Sequence, residues 1–208
     1  MGRTLIYIPI IHTGPDLGSL AADLEKKAAK LLGNYWREHE TTINRYWQEI
    51  IRFLEEKTFT KVLIFQDGMP EGGETAKAII DKLAQTGSPN YQILQALTKI
   101  GAQMQKTEDP ELLKEEYQLT KDLVVRKSLM STIFAFLKYK FRKNGLLKAR
   151  DNHIAKQINQ NLPEGETGLC FLGAYHDVLS KLARDIKIIL VKDPEKVKEY
   201  YQRLTKGE

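Results

Sequence analysis

The sequence has little cysteine and no long apolar run. Cys170 is the single cysteine among 208 residues, so the chain has no internal disulfide and no multi-cysteine zinc site. No apolar stretch reaches the roughly 18 residues that a membrane-spanning helix needs. The apolar run from Leu5 to Ile11 is short and contains a proline, which favours a first strand over a signal peptide. These absences predict a cytoplasmic protein without a transmembrane segment.

Familiar catalytic and nucleotide-binding motifs are also absent. No serine stands in a Gly-x-Ser-x-Gly elbow, which argues against an ordinary α/β-hydrolase. The glycine-rich segment 67–74 does not end in Gly-Lys-Ser/Thr, and it does not match the dinucleotide-binding fingerprint. Its acidic residues suit either cation binding or the first turn of a helix. Glu71 in this segment is therefore a candidate substrate-binding residue.

Negative charge is missing from one part of the chain. Lys and Arg total 32 and Asp and Glu total 27, which gives a formal net charge of +5. Residues 126–150 contain eight basic residues and no acidic one, whereas the rest of the chain has 24 basic and 27 acidic residues. Such a segment is compatible with nucleic acid, an anionic membrane surface or an anionic substrate. A cap helix beside an anion site, or a contact in a homo-oligomer, needs fewer assumptions.

The composition and the apolar pattern predict one α/β domain. Hydrophobic residues make up 42% of the chain, which is enough for a core and excludes a disordered protein. Short apolar runs separated by helical patterns predict a small, mostly parallel sheet of about four strands flanked by helices. The predicted strands cover residues 4–11, 61–66, 168–173 and 186–191.

The segment between the second and third predicted strands is too long for a simple crossover. Residues 88–146 show no convincing strand, so we predict a helical insertion or cap within a single domain of residues 1–208. Asn144-Gly145 is predicted to stop the last helix of this insertion. Further helices are predicted at about 16–32 and 175–184.

Polar residues follow three of the predicted strands. His12 follows the first strand, Gln66 and Asp67 end the second, and Tyr175-His176 follows the third. In parallel α/β sheets the site lies at the carboxyl ends of the strands. A neutral imidazole binds a metal or acts as a base, and a carboxylate orients it or completes the coordination. Each residue on its own is equally well explained as a strand or helix cap.

A second cluster, Arg150-Asp151-Asn152-His153, opens the helix before the third strand. Arg150 suits bidentate binding of a carboxylate or phosphate. Capping and the helix dipole explain Asp151 equally well. Asp151 and His153 join Gln66 and Tyr175 as candidate substrate-binding residues.

The segment Ala149 to Ile158, followed by Gly168 to Gly173 and Ala174-Tyr175-His176, resembles the TraB/Tiki, erythromycin-esterase and ChaN-like superfamily. Members have an Arg-led helix and two strands that end in G-x-x-H, with an acidic residue ending a further strand. Here Pro9-Ile10-Ile11-His12 and Phe65-Gln66-Asp67 stand at the other two positions, with Pro9 in place of the first Gly. The resemblance implies hydrolysis, in some members with a divalent metal.

Carried over, the resemblance makes His12, Asp67, Arg150 and His176 the catalytic residues, and His12, Asp67 and His176 the metal ligands. The first hypothesis is therefore a hydrolase acting on a small molecule or a peptide. One alternative is a non-catalytic module that binds a small anion or nucleotide in the same cleft. Another is an interaction protein that uses the segment 126–143. The hydrolase is the function that the sequence favours, and a nucleic-acid or membrane partner is not favoured.

Overall fold

Residues 2–11, 13, 34–59, 61–125 and 129–206 are described by a computed structural model. Over these residues the strands are β1 (Arg3–Ile10), β2 (Val62–Gln66), β3 (Gln103–Met104), β4 (Thr167–Gly173) and β5 (Ile186–Leu190). The α-helices are α1 (Asn34–Glu55), α2 (Gly73–Ala84), α3 (Pro89–Lys99), α4 (Pro110–Val125), α5 (Leu129–Asn161) and α6 (Pro194–Lys206). A 3₁₀ turn covers Leu179–Lys181. The predicted α/β class is confirmed.

The five strands form one parallel sheet in the order β3-β2-β4-β1-β5. The central strand β4 pairs with β1 on one side and with β2 on the other. Ile10 lies opposite Gly173, and Gln66 lies opposite Phe171. This register brings the carboxyl ends of β1, β2 and β4 to one edge of the sheet, which is where ligands bind in folds of this class.

Two apolar layers cover the faces of the sheet. Helices α1, α2, α3 and α6 bury side chains such as Trp47 and Ile80 against one face. The C-terminal half of α5 buries Ile154 and Ile158 against the other face, together with Phe65. Each fully buried side chain of this size contributes roughly 1.5–3 kcal/mol to folding. Burial on both faces explains why the strands are continuous apolar runs rather than alternating ones.

The prediction that residues 88–146 contain no strand is wrong. Strand β3 lies inside this segment and pairs with β2, and beyond it Gln105 N donates to the carbonyl of Ile64 at 2.8 Å. The sheet therefore has five strands instead of about four. A strand of two residues is too short to show an alternating pattern in the sequence.

Two predicted helix boundaries are also wrong. Helix α5 runs through Asn144 and Gly145, because Leu146 and Arg150 on the next turns are buried against the domain. The helix predicted over 175–184 is reduced to the turn Leu179–Lys181. The backbone before this turn is not helical, and Asp177 N donates to a side chain, Asp151 Oδ2, at 3.1 Å.

The helix predicted over 16–32 lies outside the described residues. Within the residues that are described, no helix combines the length and the apolar character required to cross a membrane.

Candidate active site at the carboxyl ends of the strands

Asp67 lies directly beyond β2 and across the end of β4. Its backbone N donates to the carbonyl of Phe171 at 2.8 Å, which extends the strand pairing by one residue. Its side-chain Oδ2 accepts a hydrogen bond from Gly173 N at 3.0 Å. The side chain is 9% exposed. Backbone pairing and the Gly173 amide together fix the position of this carboxylate.

His176 follows β4 and is held by a carboxylate at each ring nitrogen. Its Nδ1 lies 2.5 Å from Asp151 Oδ1, and its Nε2 lies 3.4 Å from Asp67 Oδ2. The backbone N of His176 donates to the carbonyl of Gly173 at 3.0 Å, which turns the chain back towards the site. Asp151, on α5, is 3% exposed and also accepts from Asp177 N. The imidazole therefore has a fixed orientation, with Nε2 facing Asp67.

Arg150 binds carboxylates from three elements. Its Nη2 donates to Asp67 Oδ1 at 2.6 Å, and its Nη1 lies 2.5 Å from Glu116 Oε2 on α4. Both its Nε and its Nη2 donate to Glu108, the former at 3.2 Å. The Arg150 side chain is 5% exposed. These contacts tie the carboxyl end of β2 to the α4–α5 hairpin.

Glu108 also belongs to the site, although no sequence pattern singled it out. It follows β3, and its side chain is fully buried between Arg150 and the loop after β2. Its backbone N donates to the carbonyl of Met69 at 3.0 Å, and its Oε1 accepts from Gly68 N at 3.4 Å. The rule that selected Asp67, a position at the carboxyl end of a strand, also selects Glu108 once β3 is recognised.

The buried groups change each other's ionisation. Burial lowers the pKa of His176, but Asp67 and the hydrogen bond to Asp151 outweigh burial and raise the pKa to about 10. Burial raises the pKa of Glu108, against the opposing effect of its hydrogen bond to Arg150. Near neutral pH the site thus contains an imidazolium and a guanidinium beside four carboxyl groups, those of Asp67, Glu108, Glu116 and Asp151.

Three of these residues form a group with the chemistry of a metal site. Asp67, Glu108 and His176 each offer one ligand atom, and these atoms lie within 4.8 Å of one another. Two carboxylate oxygens and one imidazole nitrogen suit borderline divalent cations such as zinc and manganese. The hydrogen bond from Nδ1 of His176 to Asp151 is also the arrangement that usually orients a metal-binding histidine.

The remaining predicted site residues do not belong to this group of three. His12 lies outside the described residues. Gln66 is buried; its Nε2 donates to the carbonyl of Asp67 at 3.1 Å, and its Oε1 finds no partner among the residues described. Tyr175 is 48% exposed, and its ring centroid lies 6.2 Å from that of Tyr201.

His153 and Glu71 are not part of the buried network among the described residues. His153 Nδ1 lies 3.8 Å from Asp109 Oδ2, on the partly exposed side of α5. Glu71 is exposed on the loop before α2.

Neither protein-family models, nor curated proteins, nor solved structures give a match to this chain.

Proposed function

We propose that the protein is a hydrolase whose reaction centre is the buried group formed by Asp67, Glu108 and His176, with a divalent cation as its cofactor. The observation that carries this proposal is the fixation of His176. A buried carboxylate, Asp151, holds Nδ1, so that Nε2 faces Asp67. Active sites use a carboxylate in this way to fix the tautomer of a catalytic or metal-binding imidazole.

The charges of the site support a bound cation. The carboxyl groups around Arg150 and His176 outnumber these two cationic side chains. Burying an unbalanced carboxylate costs several kcal/mol, so such a group either takes up a proton or binds a cation. Burial raises the pKa of Glu108, which is the direction expected for a carboxyl group whose charge is not fully balanced. A divalent cation between Asp67 and Glu108 would instead balance the charge of the two carboxylates.

Each residue then has a defined task. A bound divalent cation would lower the pKa of a water molecule and so supply the nucleophile. Asp67, Glu108 and His176 would hold the cation, His176 after losing the proton on Nε2 to solvent. Asp151 keeps His176 in the required orientation. Arg150 positions Asp67 and Glu108 by binding both carboxylates. We propose an ester or amide of a small molecule or peptide as the substrate, in line with the family resemblance.

The proposal is tested first by metal binding. Titration calorimetry with Mn²⁺ and Zn²⁺ is expected to show one site in the parent chain. Asp67→Asn and His176→Gln should each weaken binding by about 100-fold or more, since each removes a ligand. His153→Gln is the matched control, because it changes a histidine on α5 that lies outside the group. His12→Gln examines the remaining one of the three ligands that the family resemblance implies.

Catalysis is tested separately with a panel of chromogenic esters and amides in the presence of the cation. Activity should depend on Asp67 and His176 and be insensitive to His153→Gln. Full activity of both Asp67→Asn and His176→Gln would exclude this site as the reaction centre. Tight binding of a panel compound without turnover would instead identify a binding module.

A further inference from the structure

An exposed part of α5 combines aromatic and basic side chains. We define the basic arm as residues 136–148. Phe136 is 56% exposed and Phe141 is 81% exposed, which makes Phe141 the most exposed large apolar side chain among the described residues. The basic residues of this arm are all exposed: Lys138, Lys140, Arg142, Lys143 and Lys148. Isolated exposed apolar residues are common, but Phe141 stands within a cluster of five exposed basic residues, which makes this part of the helix distinct.

The basic arm lies apart from the buried site. Phe141 precedes Arg150 by nine residues, or about two and a half helical turns, so that the two side chains leave α5 on opposite sides. Leu146 and Arg150 are buried on the side that faces the domain. Within the described part of α5, Arg150 is therefore the one basic residue that reaches the buried site, where it pairs with carboxylates of the protein.

The spacing places lysines beside each phenylalanine on the helix surface. Residues three, four or seven positions apart share one side of a helix. Phe141 thus lies between Lys138 and Lys148, and Phe136 is followed on its side by Lys140 and Lys143. Phe136 and Phe141 are five positions apart, about 140° around the helix, so they lie on different sides. The surface centred on Phe141 therefore presents one apolar ring with the ammonium groups of Lys138 and Lys148 beside it.

The arm itself carries no negative charge, and acidic residues lie on the neighbouring helix α4. No acidic residue occurs from 126 to 150. Arg142 Nε donates to Glu115 on α4 at 2.9 Å, and Lys143 Nζ lies 5.7 Å from the ring centroid of Tyr139. None of the lysines of the arm forms an ion pair with a described carboxylate. The arm therefore complements an anionic partner.

We propose that the basic arm binds the surface of an anionic lipid membrane. Phenylalanine has no polar group, so it suits the boundary between headgroups and acyl chains, while neighbouring lysines meet the lipid phosphates. The exposed ring of Phe141 gains from the apolar boundary of a lipid surface, which the phosphate backbone of a nucleic acid does not offer. A second copy of the arm would be repelled by its like charge. This proposal does not depend on the hydrolase proposal.

The experiment is co-sedimentation of the full chain with vesicles of phosphatidylcholine alone or of phosphatidylcholine with phosphatidylserine. We expect binding only to the vesicles that contain phosphatidylserine, with affinity that falls as salt is added. The triple variant Lys138→Gln/Lys140→Gln/Lys148→Gln should lose on the order of 100-fold in affinity, because each basic residue adds to the attraction of the surface. Phe141→Ser should lose about tenfold while keeping the salt dependence.

Matched controls come from other exposed positions. Lys82→Gln/Lys99→Gln/Lys187→Gln removes the same charge from other surfaces, and Ile100→Ser removes a side chain that is 71% exposed directly after α3. Both controls should bind as the parent chain does. Absence of vesicle binding by a folded parent chain overturns the proposal. So does a loss of equal size in the controls, tighter binding of single-stranded RNA through the arm, or an arm variant that changes only the oligomeric state.

Discussion

At the scale of single residues, Arg150 determines whether the buried carboxylates are tolerated. It contacts Asp67, Glu108 and Glu116, and two of these three acids are almost inaccessible to water. A buried ion pair contributes little in comparison with an apolar replacement of both partners, but removal of one partner leaves an unpaired charge. The contribution of Arg150 to the free energy of unfolding is therefore largest when Arg150 alone is replaced and its partners stay charged.

We expect Arg150→Met to lower the free energy of unfolding by about 3–5 kcal/mol, because Asp67 and Glu108 lose their cation. The loss should shrink as the pH falls from about 8 to about 5, since protonation removes the unpaired charge. Urea denaturation at both pH values measures this difference. Arg142→Met is the control, because Arg142 lies on the same helix as Arg150 and forms an exposed ion pair with Glu115 on α4. Its removal should cost at most about 1 kcal/mol. Equal losses in the two variants would contradict the assignment.

At the scale of elements, long apolar runs were predictable and short or locally ambiguous elements were not. The predicted strands at 4–11, 61–66, 168–173 and 186–191 correspond to β1, β2, β4 and β5. Asp67 and His176 could be selected because a parallel sheet brings the ends of β2 and β4 together. Glu108 could not, since β3 has two residues and leaves no periodic signal. Tertiary contacts alone decide such cases.

Helix α5 shows the same limit at Gly145. Asn-Gly is a typical stop signal, yet the buried side chains of Leu146 and Arg150 on the following turns keep the helix continuous. The local preference of the sequence is therefore overridden by packing that becomes visible only in the folded chain.

We expect Gly145→Ala to stabilise the protein by about 0.5–1 kcal/mol, because alanine loses less backbone entropy than glycine within a helix. A Cβ atom at this position meets no atom within 4 Å. Gly101→Ala is the matched control: its Cβ also meets nothing within 4 Å, but its φ is +99°, so alanine should destabilise there. Thermal unfolding of the two variants checks the opposite signs. Destabilisation by Gly145→Ala would mean that the helix bends or ends at this residue.

At the scale of the whole molecule, two groups of charged residues have different surroundings: the buried site and the basic arm. The buried site mixes both signs in a water-poor interior, where charges interact strongly and pKa values shift. The basic arm carries one sign in solvent, where salt screens its field within about 10 Å. Site chemistry should thus respond to pH, whereas the proposed membrane contact should respond to salt. The two proposals can be tested independently in one chain.

The stability of the metal-free protein should fall as the pH rises from about 6.5 to about 10, because the folded chain keeps the proton of His176 over this range. The pKa of His176 is raised on folding, so its contribution is complete below the unfolded value and is lost as the pH passes the folded value. Burial also raises the pKa of Cys170, which lowers stability in the upper part of the same range.

Chemical denaturation of the parent chain and of His176→Gln across this range, with a chelator present, separates the two effects. The thiol acts equally in both chains, so the difference between their stabilities isolates the imidazole and should diminish steadily towards about pH 10. A difference that does not change with pH would mean that His176 is neutral in the folded protein. The imidazole between Asp67 and Asp151 would then carry no positive charge.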